Sequence, residues 1–189
     1  MIETNGTSCL RLYLIRHGEV EGSCSGRVLG WTDTPLSETG VEQAHELRDS
    51  FASLKLSAVY SSDLQRARKT AETIAESHSL EVRATASWRE INMGDWEECA
   101  ISSLHERVPK MVTQLFEDPA SFQYPSGESF KDFISRIKRS MDQLLCSHDA
   151  GVIVLVTHGG VCRAIIGEAL GIPMKNWLRL SQDYGCVNV

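Results

Sequence analysis

The run Gly151 to Val156 (GVIVLV) constrains the fold of this chain more than any other segment. It contains no charged or polar side chain, so it is apolar on both faces, as expected of a central strand in a parallel sheet that is covered on both sides. Thr157, His158 and two glycines follow it directly. The segment therefore predicts an α/β sheet with a histidine at the end of its central strand.

Further strands and helices are predicted to alternate along the chain. Short apolar runs predict strands at 10–15 and 57–60, a weaker strand at 81–84, and an edge strand at 186–189. Apolar residues at helical spacing predict helices whose apolar stripes span 41–54, 64–75, 101–115 and 130–145, and a helix over 161–170. Ser37 is the expected N-cap of the first helix, and Ser61-Ser62-Asp63 that of the second.

This alternation predicts one three-layer αβα domain over residues 1–189, with a mostly parallel sheet. The helical segment at about 99–127 is predicted to form a small cap inserted into that domain. Residues 18–36 contain four glycines and Pro35, which indicates a long loop of the kind that is often functional.

Charge and cysteine usage exclude several classes of protein. The net charge of -6 argues against a binder of nucleic acid or of anionic membranes, because such proteins carry a basic face. No apolar run approaches the ~18 residues needed to span a bilayer. Six cysteines without a CxxC pair exclude a zinc ribbon and a thioredoxin motif. We expect buried, reduced thiols and a cytoplasmic protein.

Chemically active residue types follow the predicted strands. Arg16, His17 and Glu19 follow the first strand, Arg66 lies in the helix after the second, and His158 follows the central one. Ligands of open α/β sheets bind at the carboxyl ends of the strands, so these side chains are expected to converge. The apolar stripe of its helix lies on the side opposite Arg66, which predicts that Arg66 is solvated or binding.

Two arginines and two histidines in one pocket suit a phosphate. Guanidinium groups offer planar forks of donors, and imidazole offers a donor or a nucleophilic nitrogen. A histidine nucleophile could take a phosphoryl group covalently. The leaving oxygen would then need a proton, and Glu90, which follows the weak strand, is the candidate general acid.

These segments together resemble the histidine phosphatase (phosphoglycerate mutase-like) superfamily over nearly the whole chain. The resemblance rests first on Arg16-His17-Gly18-Glu19 and on Val156-Thr157-His158-Gly159-Gly160. Further matching segments are Gly26-Arg27, 30–37, 61–67, 89–97 and 125–129. The order and spacing of these motifs are more specific than the Arg-His-Gly tripeptide alone.

The resemblance implies a role for each residue. His17 would become phosphohistidine, Arg16, Arg66 and His158 would hold the phosphate, and Glu90 would be the general acid. No metal or organic cofactor is implied. Ser23 stands where many members carry an asparagine that helps to hold phosphate, and Glu19, Ser23 and Gly159 are expected to line the substrate.

The resemblance favours the phosphatase branch of the superfamily, and within it the α-ribazole phosphatases of cobalamin biosynthesis. The predicted activity is hydrolysis of a small phosphorylated metabolite, with α-ribazole 5'-phosphate as one candidate. Two alternatives stay open: phosphoryl transfer of the phosphoglycerate mutase type, and a phospho-ligand binding module without turnover. We expect a small phosphate ester as partner, no nucleic acid or membrane, and a monomer or homodimer.

Overall fold

The computed structural model describes residues 9–189, without the side chain of Cys24. In this described part of the chain, five strands form one sheet in the order β3-β2-β4-β1-β5. They are β1 (Leu10–Arg16), β2 (Ala58–Ser62), β3 (Val82–Thr85), β4 (Gly151–Thr157) and β5 (Val187–Asn188). All neighbours are parallel except β5, which pairs antiparallel with β1. The mostly parallel α/β sheet predicted from the sequence is therefore confirmed.

The central strand β4 explains why helices cover both faces of the sheet. Ile153 and Leu155 point into a core shared with helices that follow in the second half of the chain. Val154 and Val156 point into the opposite core, which also contains Ile15 and Val59. All four β4 residues are fully buried, so an apolar run without alternation is what this position requires.

Within residues 9–189, six α-helices surround the sheet. They are α1 (Glu38–Phe51), α2 (Gln65–Glu76), α3 (Ile101–Arg107), α4 (Pro109–Glu117), α5 (Phe130–Cys146) and α6 (Gly159–Ala169). Helices α1 and α2 contribute to the core of one face, and α5 and α6 to that of the other. Short 3-10 helices lie at Ser23–Ser25, Ala86–Trp88, Gly94–Trp96, Pro119–Ser121 and Met174–Arg179.

Two details of the predicted helices are wrong. The stripe from 101 to 115 belongs to two helices, because Pro109 begins α4 and Val108 before it has non-helical backbone angles, φ -136° and ψ 49°; a residue before proline disfavours the helical conformation. The N-cap of α2 is Leu64, without a side-chain cap. Asp33 accepts the Gln65 amide at 2.8 Å instead, while Asp63 pairs with Arg89. Ser37 caps α1 by accepting the Gly40 amide, as predicted.

The cysteines and the helix lengths bear on the remaining expectations. All five cysteines whose side chains the structure describes are free, but Cys9 and Cys146 are exposed, so the expectation of buried thiols is wrong for these two. Among residues 9–189, no helix combines the length and the apolar character that a membrane span needs.

Candidate active site

Two histidines lie side by side because β1 and β4 end in register. Arg16 is paired with Thr157, and the His17 amide donates to the Thr157 carbonyl at 2.9 Å. His17 and His158 therefore follow adjacent strands at the same edge of the sheet. Their ring centroids are 5.1 Å apart, and both residues are buried.

The local contacts of His17 fix which ring nitrogen can react. Nδ1 is 2.7 Å from the carbonyl oxygen of Gly18, and because that oxygen can only accept, Nδ1 carries the proton. Burial lowers the pKa of His17 well below its usual value, and the Arg66 charge lowers it further. The imidazole is therefore neutral at pH 7, with its free lone pair on Nε2.

Gly18 lets the chain after His17 pack against the start of α1. A Cβ at position 18 would lie 2.5 Å from the Gly40 carbonyl oxygen, which is part of a helix backbone and cannot give way. The Gly18 amide donates to Thr70 at 3.2 Å. The loop that orients the His17 ring is thus held from both α1 and α2.

His158 and Arg16 carry buried nitrogens that lack partners. Both ring nitrogens of His158 and Nε of Arg16 are buried without a hydrogen bond within the described residues. Burial, followed by the charge of Arg66, lowers the pKa of His158 well below its usual value, so this ring is also neutral at pH 7. Buried polar groups without partners are costly, and an oxyanion in the cavity would supply acceptors for Nε–H of Arg16 and for the one N–H of the neutral His158 ring.

The C-terminal segment holds Arg16 in position. Its Nη1 donates to the Gln182 carbonyl, and its Cζ lies 3.9 Å from the ring centre of Tyr184. The amide of Gly185 donates to the carbonyls of Arg16 and His17, at 3.1 Å each. The last residues of the chain therefore close one side of the site.

Arg66 is buried, with 1% of its surface exposed. Of the two alternatives predicted for it, solvation is wrong. Its Nη2 donates to the Gly30 carbonyl at 2.7 Å and its Nη1 to the Thr32 carbonyl at 2.6 Å. The loop after β1 folds over α2 at this point, so a position outside the apolar stripe is covered by a distant segment.

Glu90 lies across the cavity at the start of α6. Its Oε1 accepts the Ile91 amide at 2.9 Å and its Oε2 the Gly160 amide at 2.7 Å. A Cβ at position 160 would lie 2.2 Å from Oε1, so a larger residue there would displace the carboxyl group. The carboxyl is thereby held in one orientation at the cavity wall.

A second layer fixes the backbone of Glu90. Arg136 of α5 donates to the carbonyls of Arg89 and Glu90, at 2.8 and 3.1 Å, and to the carboxylate of Glu128. Trp31 donates its indole N–H to the Glu90 carbonyl at 2.8 Å. The sequence gives little sign of the role of Arg136, because it depends on loops that are distant along the chain.

One cavity of about 450 Å³ joins these groups. Its floor is formed by Arg16, His17, Arg66, Glu90, His158 and Gly159. Arg163 and Tyr184 also line it, and sequence reasoning missed both. Arg163 lies one helical turn after Gly159, a spacing that could have identified it, whereas nothing in the pattern marks Tyr184.

Two of the residues that were predicted to line the substrate lie away from the cavity floor. Among residues 9–189, those that line the cavity include Gly159 but not Glu19 or Ser23. The Glu19 carboxylate accepts the Ser37 hydroxyl at 2.8 Å, beside the start of α1. Ser23 begins a 3-10 turn, and its amide donates to Val20 at 3.1 Å.

The geometry combines a neutral nucleophilic nitrogen, cationic and N–H donors around it, and a carboxyl group facing the same space. This arrangement can bind a phosphate and exchange a proton with the oxygen that leaves. In the part of the chain that the structure describes, no three His, Cys, Asp or Glu side chains cluster as a metal site would require.

Comparison with known proteins agrees with this chemistry. The family model described as "Histidine phosphatase superfamily (branch 1)" matches residues 12–189. A protein of Serratia proteamaculans named "Probable phosphoglycerate mutase GpmB" is 32% identical over 164 residues, which are 87% of this chain and 76% of that protein.

Solved structures of two phosphatases share the fold. A mycobacterial glucosyl-3-phosphoglycerate phosphatase is 30% identical with a TM-score of 0.84, over 94% of this chain and 87% of the other. The α-ribazole phosphatase of Shigella flexneri is 30% identical with a TM-score of 0.81, over 94% and 88%.

Proposed function

Because the chain belongs to the histidine phosphatase superfamily, branch 1, we propose that it is a phosphomonoesterase that acts through a phosphohistidine at His17. The observation that carries this proposal is the Nδ1 contact of His17 with the Gly18 carbonyl at 2.7 Å. It leaves the lone pair of a neutral imidazole on Nε2, beside the unpartnered nitrogens of His158 and Arg16.

In the first step, Nε2 of His17 attacks phosphorus and the bond to the ester oxygen breaks. Protonated Glu90 gives its proton to the departing oxygen, so an alcohol leaves. Arg16, Arg66 and His158 hold the three phosphoryl oxygens, where charge is spread in the transition state. Because Arg16 is already held by Gln182, and Arg66 by Gly30 and Thr32, these two side chains need little reorganisation.

In the second step, water attacks the phosphohistidine. Glu90, now a carboxylate, accepts a proton from the water as the phosphorus–nitrogen bond breaks. Inorganic phosphate then leaves, and the neutral imidazole and the protonated carboxyl are restored. The sum of both steps is the hydrolysis of one phosphate ester.

The likeness to solved phosphatases supports hydrolysis and suggests substrates. The α-ribazole phosphatase of Shigella flexneri is similar to this chain, and α-ribazole 5'-phosphate is therefore our first candidate. We further propose a cytoplasmic enzyme that acts as a monomer or homodimer on a small phosphate ester.

A second candidate function is phosphoryl transfer of the mutase type. It is favoured by the relatives named "Probable phosphoglycerate mutase GpmB". In that reaction, a hydroxyl of the substrate would replace water in the second step, and a bisphosphorylated activator would be needed. Conversion of 3-phosphoglycerate into an isomer without release of phosphate would favour it.

The test is a hydrolysis screen with phosphorylated metabolites, α-ribazole 5'-phosphate and phosphoglycerates among them, on the whole chain and on His17→Asn. We expect phosphate release that the His17→Asn variant loses and that a chelator leaves unchanged. Full activity in the variant would overturn the role of His17. Phosphate binding without hydrolysis of any ester would favour a binding module.

A further inference from the structure

The cavity above the phosphate floor has an apolar wall built by the cap. The α3–α4 wall consists of Ile101 and Leu104 from α3 and of Val112, Leu115 and Phe116 from α4, and all five line the cavity. The two helices meet at Pro109, which turns the chain so that apolar side chains of both face the same space. This wall is the apolar stripe of the amphipathic segment, and of its five members only Leu104 and Val112 are buried.

The mouth of the cavity exposes large apolar side chains. Ile101 is 53% exposed, Phe116 is 52% exposed, and Leu178 is 44% exposed. All three line the cavity. Exposed apolar side chains that cluster at the rim of a pocket mark a surface that a ligand covers.

Above the floor, most of the cavity surface is apolar, and the polar side chains that line it there are Arg27, His105, Tyr124, Arg163 and Tyr184. Within the described chain, Glu90 is the one carboxylate that lines the cavity. Nε of Arg163 is already committed to the Leu180 carbonyl at 2.9 Å. A leaving group rich in hydroxyls would bring several of them against leucine, valine and phenylalanine, where they would lose hydrogen bonds to water without replacement.

We propose that the phosphate ester taken by this site carries an extended apolar or aromatic leaving group that lies along the α3–α4 wall. This inference rests on the proposed function, because it assumes that the phosphate occupies the floor. Apolar contact with the α3–α4 wall then sets specificity, and Arg16, Arg66 and His158 set only the position of the phosphate.

The test compares alkyl phosphates of increasing length, since their leaving alcohols have nearly equal basicity and differ in apolar surface. We expect kcat/KM to rise from ethyl to butyl to hexyl phosphate, by up to about fourfold for each methylene that becomes fully buried. Glycerol 3-phosphate should react more slowly than propyl phosphate, which has the same length without hydroxyls.

Variants of exposed wall residues locate the effect without threatening the core. Ile101→Gln and Phe116→Gln should each lower kcat/KM for hexyl phosphate by about three- to tenfold and leave that for ethyl phosphate within about twofold. Leu170→Gln is the matched control, because Leu170 is 69% exposed and does not line the cavity. It should change neither value.

The possible outcomes separate failure of the apolar leaving group from failure of the proposed phosphatase function. Equal kcat/KM for ethyl and hexyl phosphate, or preference for glycerol 3-phosphate, with hydrolysis that still requires His17, would overturn the apolar leaving group and leave the phosphatase intact. Equal loss on both alkyl esters in the wall variants would also overturn it. No hydrolysis of any ester in the series would overturn the proposed function and this inference with it.

Discussion

Replacing Gly160 by alanine should disable the proposed general acid without touching the nucleophile. The added Cβ would lie 2.2 Å from Oε1 of Glu90, 2.9 Å from its Cδ and 3.1 Å from Oε2. The carboxyl must therefore retreat by more than about 1 Å to reach ordinary van der Waals contact. The hydrogen bond from the Gly160 amide, 2.7 Å in the native chain, then lengthens or breaks. Because the obstacle is the end of a flexible side chain, we expect the fold to persist.

The size of the effect should depend on the leaving group. General acid catalysis contributes about 10²- to 10⁴-fold, so kcat/KM for an alkyl phosphate should fall by about that amount in Gly160→Ala. For 2,4-dinitrophenyl phosphate, whose phenolate leaves without a proton, kcat/KM should fall by less than about tenfold. Glu90→Gln should reproduce this pattern.

The assay is steady-state hydrolysis of the two esters, with inhibition by inorganic phosphate as a measure of binding at the floor. The phosphate inhibition constant should change little, because Gly160 donates to Glu90 and not to the phosphate-holding groups. Equal loss of kcat/KM on both esters, or no loss on either, would refute the assignment of Glu90 as the proton donor.

Three further predictions follow from the site. Arg66→Lys should lower kcat/KM and weaken phosphate inhibition by about 10- to 100-fold, because one ammonium cannot reach both Gly30 and Thr32 while it faces the cavity; unchanged inhibition would contradict this. Since burial lowers the pKa of His17 and His158, the unfolded chain binds more protons below about pH 6.5, and stability falls as the pH decreases. Measured by urea unfolding, the free energy of unfolding should fall with decreasing pH more steeply in the native chain than in His17→Asn, by up to about 1.4 kcal/mol per pH unit. Parallel pH curves for the two chains would argue against a neutral His17. Tyr184→Leu should reduce kcat/KM by roughly two- to thirtyfold, because the ring under Arg16 is lost, and full activity would remove that role.

The strands could be predicted from the sequence because their signals are local. β4 is apolar in every residue from Val152 to Val156, and a run of this kind has few alternatives to a central parallel strand. The strand ends then locate His17 and His158 at one edge of the sheet. These residues converge with Arg16, Arg66 and Glu90 in one cavity because parallel strands end at the same edge of the sheet. The strand ends themselves can be predicted from local patterns.

The features that escaped prediction depend on contacts between distant segments. Helical periodicity assigns Arg66 to the side opposite the core, but the loop at 30–32 covers it. Asp33, in the same loop, caps α2 in place of the local residues that the pattern favours. Pro109 marks the boundary between α3 and α4, but the apolar stripe continues across it and therefore predicted one helix. Glu19 follows His17 in the sequence, but its carboxylate accepts a hydrogen bond from the Ser37 hydroxyl.

The most direct test of the account is the position of the phosphoryl group on the enzyme during turnover. Rapid acid-free quenching after mixing with a phosphate ester, followed by peptide mapping and nuclear magnetic resonance of the phosphopeptide, identifies both the residue and the ring nitrogen. We predict an acid-labile, alkali-stable adduct on Nε2 of His17, because Nδ1 is committed to the Gly18 carbonyl. An adduct on Nδ1 or on another residue, or turnover with no adduct at any time, would contradict the central claim.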